Sequence, residues 1–236
     1  MVSFLSLPMA VGAETLRVAV ASNFLNTMKE LSIGFEKESG HTLILSSGST
    51  GKHYAQIKNG APFDVLFSAD VNRPKLLEQQ SIALDGSRFT YAIGRLALVG
   101  FDSEMVGRAQ NALNDTRVKR IAIANPKFAP YGIAAEQVLV NLKQWSTMKG
   151  KLVRGENISQ TYQFIASGNA QLGLVSYAQV KTLNHQAFWL VPSSLHQAIE
   201  QQAVIINDSP AARELFRYMR SEPVLETIKA RGYEAP

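Results

Sequence analysis

LRVAVASNFLNTM, residues 16–28, holds two patterns end to end. Residues 16–21 are, apart from Arg17, apolar and rich in β-branched side chains, the composition of a buried strand. Over residues 23–38 the apolar side chains Phe24, Met28, Leu31 and Phe35 recur at helical spacing, with Lys and Glu between them. Gly40 follows as a stop. The join is Ser22-Asn23, and both residue types cap helix N-termini. A helix N-terminus also carries unpaired N–H groups and the positive end of a dipole, so the join has the makings of an anion site as well as of a simple cap.

Working outward, the strand-to-helix step repeats. Strands are predicted at 43–45, 65–67, 96–99, 121–124, 151–153, 172–175 and 203–206. Helices are predicted at 50–58, 134–143, 159–166, 210–219 and 224–230. This order predicts an α/β protein with parallel sheets covered by helices. It reads as two αβ units in series with a returning tail, and no Gly/Ser linker separates them. Two lobes joined by extended segments near 91–94 and 203–207 fit that layout better than beads on a string. The expected division is 14–91 with 205–236 as lobe I and 92–204 as lobe II.

The bulk composition narrows the function. A chain of 236 residues with 46% hydrophobic and 18% charged residues is ordinary for a globular protein. It has no cysteine, which excludes disulfides, thiolate zinc sites and iron–sulfur clusters, and which suits a bacterial periplasm. The net charge of +5 comes without a run of five Lys/Arg and without aromatic–basic interleaving, so nucleic acid is not an expected partner. A diffuse positive field suits a small anion. Residues 1–13, MVSFLSLPMAVGA, are uncharged and too short to span a bilayer. Val11-Gly12-Ala13 fits a cleavage site, but the basic n-region is missing. The expectation is a truncated signal-peptide remnant, and the alternative is an N-terminal strand extension.

Three further junctions resemble the first. Ser46-Ser47-Gly48-Ser49-Thr50-Gly51-Lys52 is small and dense in hydroxyls. It fails as a P-loop, because Ser46 stands at the first glycine position and His53 follows Lys52. Its N–H groups and the Thr50 hydroxyl suit a small anion. Asn125-Pro126-Lys127-Phe128-Ala129-Pro130-Tyr131-Gly132 has a backbone shaped by two prolines and a glycine. Gly155-Glu156-Asn157-Ile158-Ser159 is the fourth. Each is common alone, but in open α/β sheets ligands bind at the carboxyl ends of strands. Enzyme signals are weaker: His41, His53, His185 and His196 are scattered, and neither HExxH nor G-x-S-x-G occurs. A hydrolase using Ser22 remains the enzymatic alternative.

At these junctions the chain resembles the periplasmic molybdate-binding proteins of ABC transporters, the ModA family. The resemblance covers nearly everything after Glu14. It is carried by VAVASNFLNTM (18–28), SSGSTGKHYAQIKNGAPFDVLFSAD (46–70), FTYAIGRLALV (89–99), IAIANPKFAPYG (121–132), ENISQTYQFIASG (156–168), LGLVS (172–176) and the tail from Ala203 to Tyr233. It implies a two-lobed periplasmic binding protein fold of type II with the ligand in the interlobe cleft. It implies ligand donors at Ser22, Asn23 and Thr50 from one lobe, and backbone N–H groups of Tyr131 and Ile158 from the other. No side chain would coordinate a metal directly and no cofactor is implied.

The function implied is a periplasmic, monomeric solute-binding protein, not an enzyme. It would capture molybdate or tungstate by lobe closure and deliver it to an ABC transporter permease in the inner membrane. Another tetrahedral oxyanion, such as sulfate or phosphate, is the alternative ligand. A ligand-sensing domain of a transcription regulator would need a DNA-binding segment, for which there is no room before Glu14. One position departs from part of the family: Ser176 stands where some members carry a Tyr, with Tyr177 one residue on. Both are left out of the expected site. Glu156 is the carboxylate nearest the junctions, and its charge would oppose an oxyanion that it faced.

Overall fold

The computed structural model describes residues 12–236 apart from 101, 103–105, 107–108 and 182–186. The expected signal remnant lies outside the described residues except for Gly12 and Ala13, and His185 lies outside them too. The first half runs β1 (Thr15–Ala21), α1 (Leu25–Ser39), β2 (Thr42–Gly48), α2 (Thr50–Lys58), β3 (Val65–Phe67), α3 (Asn72–Gln79) and β4 (Phe89–Gly94). The second runs β5 (Leu96–Gly100), β6 (Ile121–Ala124), α4 (Pro130–Asn141), β7 (Leu152–Gly155), α5 (Ile158–Ala166), β8 (Leu172–Ser176), α6 (Tyr177–Lys181) and β9 (Ala187–Leu190). The tail is β10 (Ile199–Ile205), α7 (Pro210–Met219) and α8 (Glu222–Ala230).

Among the described residues the strands form two sheets, ordered β2-β1-β3-β10-β4 and β7-β6-β8-β5-β9. The two follow one plan. β1 lies parallel to both β2 and β3, and β6 lies parallel to both β7 and β8. In each sheet one antiparallel strand comes next, β10 beside β3 and β5 beside β8. The central parallel strands are covered on both faces, which is why β6 and most of β1 are buried without alternation.

The chain crosses between sheets at Arg95 and returns between Leu190 and Ile199. The return is earlier than the sequence suggests. Residues 199–204, expected in lobe II, are already hydrogen-bonded to β3 and β4 of the first sheet. The polar pair Gln201-Gln202 hides this from an apolar-run reading. Gln201 is fully buried all the same, because its amide is used in a polar network. β2 also runs longer than expected, through Ser46-Ser47-Gly48, because β1 offers a parallel partner to every residue of that stretch.

α1 buries Thr27, Met28, Leu31 and Phe35 against the first sheet, and Gly40 closes it in the left-handed region at φ 74°. The helix begins at Leu25 and not at Asn23, with Phe24 at the N-cap position and no side-chain cap. Two clusters fill lobe I, one of them around Phe24, Phe35, Phe67 and Tyr91 and the other around Ile57, Leu66 and Leu77. Lobe II has its own cluster, which also takes in Ala21, Ala69 and Ile199 from lobe I, so apolar packing crosses the seam.

Gly132 sits where α4 passes close to β6. A Cβ there would overlap the Ala124 carbonyl oxygen and come within 2.8 Å of Pro126 N, both of them backbone atoms. Neither can rotate away, so Gly132→Ala is expected to destabilise the fold by about 1–3 kcal/mol, read as a lower midpoint in thermal or urea denaturation.

Candidate functional site

The parallel pairs β1/β2 and β6/β7 each end in register, Ala21 opposite Gly48 and Ala124 opposite Gly155. The same hydrogen bond closes each pair. Ser22 N–H donates to Gly48 O at 2.9 Å, and Asn125 N–H donates to Gly155 O at 2.8 Å. Beyond these bonds the chain turns into helices, so two strand-to-helix junctions lie side by side in each lobe.

Four of the N–H groups at these junctions belong to the expected site residues. Thr50, Tyr131 and Ile158 lie in the first turns of α2, α4 and α5, where no intrahelical acceptor exists. Among the described residues neither these N–H groups nor that of Asn23 has an acceptor. Several nearby N–H groups do. Gly51 N–H donates to Phe128 O, Gly132 N–H to Ala129 O, and Thr161 N–H to Asn157 O. The Asn157 side chain caps α5 by accepting from Gln160 N at 3.0 Å, which leaves Ile158 uncapped.

The side chains follow from these positions. Ile158 is 3% exposed and anchors in the lobe II core, so its apolar side chain fixes the place of a backbone donor. Thr50 is 1% exposed. Its Oγ1 accepts from Ala69 N at 2.9 Å and keeps its own proton free to donate. Ser22 spends its N–H on Gly48 and its carbonyl on Ser159 Oγ, leaving its hydroxyl uncommitted among the described residues. The Asn23 side chain departs from the expected role. Its Nδ2 donates to Gln201 Oε1 at 2.7 Å and to Tyr233 Oη at 3.3 Å, so it neither caps α1 nor faces the junctions. Only its backbone N–H remains available there.

The two lobes meet over these groups. Gly51 N–H donates to Phe128 O at 2.9 Å across the seam, and Ser159 Oγ donates to Ser22 O at 3.2 Å. Lys52 and Glu156 form an ion pair between the lobes, with about half of each side chain exposed. That pairing directs the Glu156 charge to Lys52. All five expected residues are buried. A groove of about 430 Å³ runs along the same seam between Arg73 and Ile133, but none of the five lines it.

No charged side chain belongs to the converging set. His53, one turn into α2, is 3% exposed, and burial pushes its pKa below the ordinary histidine value. Its Nε2 lies 3.3 Å from Val20 O and its Nδ1 3.2 Å from Gln56 Oε1. A neutral ring behind the junction leaves the donors uncharged. Among the described residues no group of three or more His, Asp or Glu is placed to hold a metal.

Sequence reasoning missed a second polar layer behind the junctions. Among the described residues Ser49 Oγ is buried with no partner. Tyr91 Oη donates to Ser68 O, Tyr233 Oη donates to Asn23 O, and Ser176 Oγ donates to Tyr131 Oη. Tyr177 turns away and its ring meets Phe188 at 5.4 Å between centroids. The partners in this layer lie up to 210 residues apart, so no local pattern signals them.

The family model for bacterial extracellular solute-binding proteins matches residues 16–234. The chain belongs to that family. Its members bind a solute for transport and are not enzymes, which removes the hydrolase reading of Ser22. The molybdate-binding protein ModA of Azotobacter vinelandii is 44% identical over 230 residues, covering 95% of this chain and 91% of that protein. ModA of Rhodobacter capsulatus is 40% identical over 232 residues, covering 97% and 91%. The solved structure of the Azotobacter vinelandii periplasmic molybdate-binding protein superposes with a TM-score of 0.89 at 39% identity, covering 94% of this chain and 99% of that one. The fold is thus the two-lobed α/β solute-binding fold of type II. Among the described residues no helix is long and apolar enough to cross a membrane.

His53 gives this solute-binding protein an acid-side weakness. Its pKa is depressed in the fold, so the unfolded chain takes up a proton first as pH falls. The stability is complete above about pH 6.5 and declines as pH drops below it. In thermal melts from pH 8 to pH 5, His53→Gln is expected to flatten the onset of that decline.

Proposed function

We propose that this protein captures molybdate, or its near-twin tungstate, between its lobes in the periplasm and delivers it as a monomer to an ABC transporter permease. The observation that supports the reading is that, among the described residues, the N–H groups of Asn23, Thr50, Tyr131 and Ile158 have no acceptor, at junctions that also carry the Ser22 and Thr50 hydroxyls. The names of relatives 44% and 40% identical over nearly the whole chain point to the same ligand.

The chemistry is that of a fully ionised oxyanion. Such a ligand offers acceptors in every direction and has no proton to lose, so neutral donors suit it. Each donor forms a charge-assisted bond, about twice as strong as a neutral one. The N-termini of α2, α4 and α5 add their dipoles. Ligand binds to Ser22, Asn23 and Thr50 on the open lobe I, and Tyr131 and Ile158 close over it. Closure removes water, which strengthens every remaining contact. Size then selects: sulfate has the same charge and shape as molybdate but is smaller.

Calorimetric titration with molybdate, tungstate, sulfate and phosphate tests the reading. Molybdate and tungstate are expected to bind tightly, with sulfate and phosphate far weaker. Binding of sulfate or phosphate without molybdate would overturn the assignment. Thr50→Val removes one hydroxyl donor and is expected to weaken molybdate binding about tenfold or more in the same titration.

A further inference from the structure

Tyr131 extends its side chain away from its own N–H. The phenol leaves lobe II and reaches the first sheet, where it meets Gly94 at the end of β4. A Cβ on Gly94 would overlap Tyr131 Oη and would stand 3.0 Å from Gln201 Nε2. Glycine is therefore the residue that leaves room for the phenol. From its own lobe Tyr131 Oη accepts from Ser176 Oγ at 3.2 Å. From lobe I the amides of Gln201 and Asn23 lie close enough to stabilise the oxygen, and Tyr233 is a near neighbour.

The socket is built from groups that depend on one another. Gln201 Oε1 accepts from Asn23 Nδ2 at 2.7 Å, and Tyr91 Oη, which shares its one proton between Ser68 O and Gln201 Oε1, lies 3.2 Å from it. Gln201 Nε2 is buried with no acceptor among the described residues, and it and the phenol oxygen both lie within 3.0 Å of the place that a Gly94 Cβ would take. Asn23, Tyr91, Gln201, Tyr233 and Ser176 are all at most 4% exposed, so water does not substitute freely there. Polar groups in such a place are costly to strand, and the seated phenol puts an oxygen near the otherwise unpartnered Gln201 amide nitrogen.

We propose that the Tyr131 phenol is the closure latch of this protein: carried by lobe II, it seats in the Asn23–Gly94–Gln201 socket of lobe I and holds the lobes together. This rests on the closure reading given under the proposed function. Tyr131 is then a positioning residue through its side chain, separate from its backbone donor. Asn23 links the latch to the site, since its side chain belongs to the socket and its N–H to the junction.

The test uses Tyr131→Phe, which keeps the N–H and removes only the hydroxyl. Stopped-flow dissociation of molybdate is expected to quicken about five- to tenfold, the worth of one neutral hydrogen bond, with the smaller effect on association. The chain has no cysteine, so dyes placed at Ile33→Cys and Val140→Cys, which are 69% and 51% exposed on opposite lobes, report closure by energy transfer. The closed population without ligand is expected to fall in Tyr131→Phe. Gly94→Ala should do the same by displacing the phenol, and less so when Tyr131 is already Phe. It also tests the socket from the other side should Tyr131→Phe not fold. If the wild type binds molybdate while dissociation and closure are unchanged in Tyr131→Phe, the latch is wrong. If the wild type binds neither molybdate nor tungstate, the proposed function fails, and the ligand-free closure signal still decides the latch.

Discussion

Unpaired backbone N–H groups at the carboxyl ends of neighbouring parallel strands are the constraint on which this molecule turns. A buried donor without an acceptor costs about 1–3 kcal/mol. Among the described residues the fold leaves such donors at Thr50, Tyr131 and Ile158, at helix starts in both lobes. Much of the architecture serves to hold them there. β1 with β2, and β6 with β7, end in register so that two junctions open side by side. The apolar side chain of Ile158 is sunk in the core, and the Asn157 side chain takes up the Gln160 N–H deeper in the helix.

Neutrality is the second theme. The protein carries a net charge of +5, yet the converging groups include no cation. Lys52 is paired with Glu156 at the edge, and burial holds His53 toward its neutral form. Under the proposed function, long-range charge would steer the dianion while fixed dipoles would hold it. A buried lysine would demand desolvation and would bind any anion of suitable charge, whereas preorganised N–H groups discriminate by geometry.

The polar layer behind the seam joins parts of the chain that share no local logic. Asn23, Tyr91, Tyr131, Ser176, Gln201 and Tyr233 come from both lobes and from both ends of the sequence. Most of their hydroxyl and amide groups bond to one another, Gln201 Nε2 excepted, so each depends on the lobes lying as they do. This ties the backbone turn at Ser22-Asn23 to the interlobe geometry.

By itself the sequence determined the elements and their order. The apolar runs at 65–67 and 121–124 and the helices Thr50–Lys58 and Pro210–Met219 were legible to the residue, because periodicity and burial agree there. The junction residues were legible as capping and turn types, and the family resemblance gave Ile158 a role that its side chain hides. The tertiary structure alone decided what those residues do. Asn23 reads as a cap, yet its amide is bound 178 residues away at Gln201, because a buried amide takes the partner that the packed fold supplies. Gln201 and Gln202 fall before the strand expected at 203–206, yet they lie within β10, because sheet pairing and a buried network outweigh local polarity. Helix and strand are written in neighbouring residues; the pairing of a donor with its acceptor across lobes is not, since it exists only once the chain has folded.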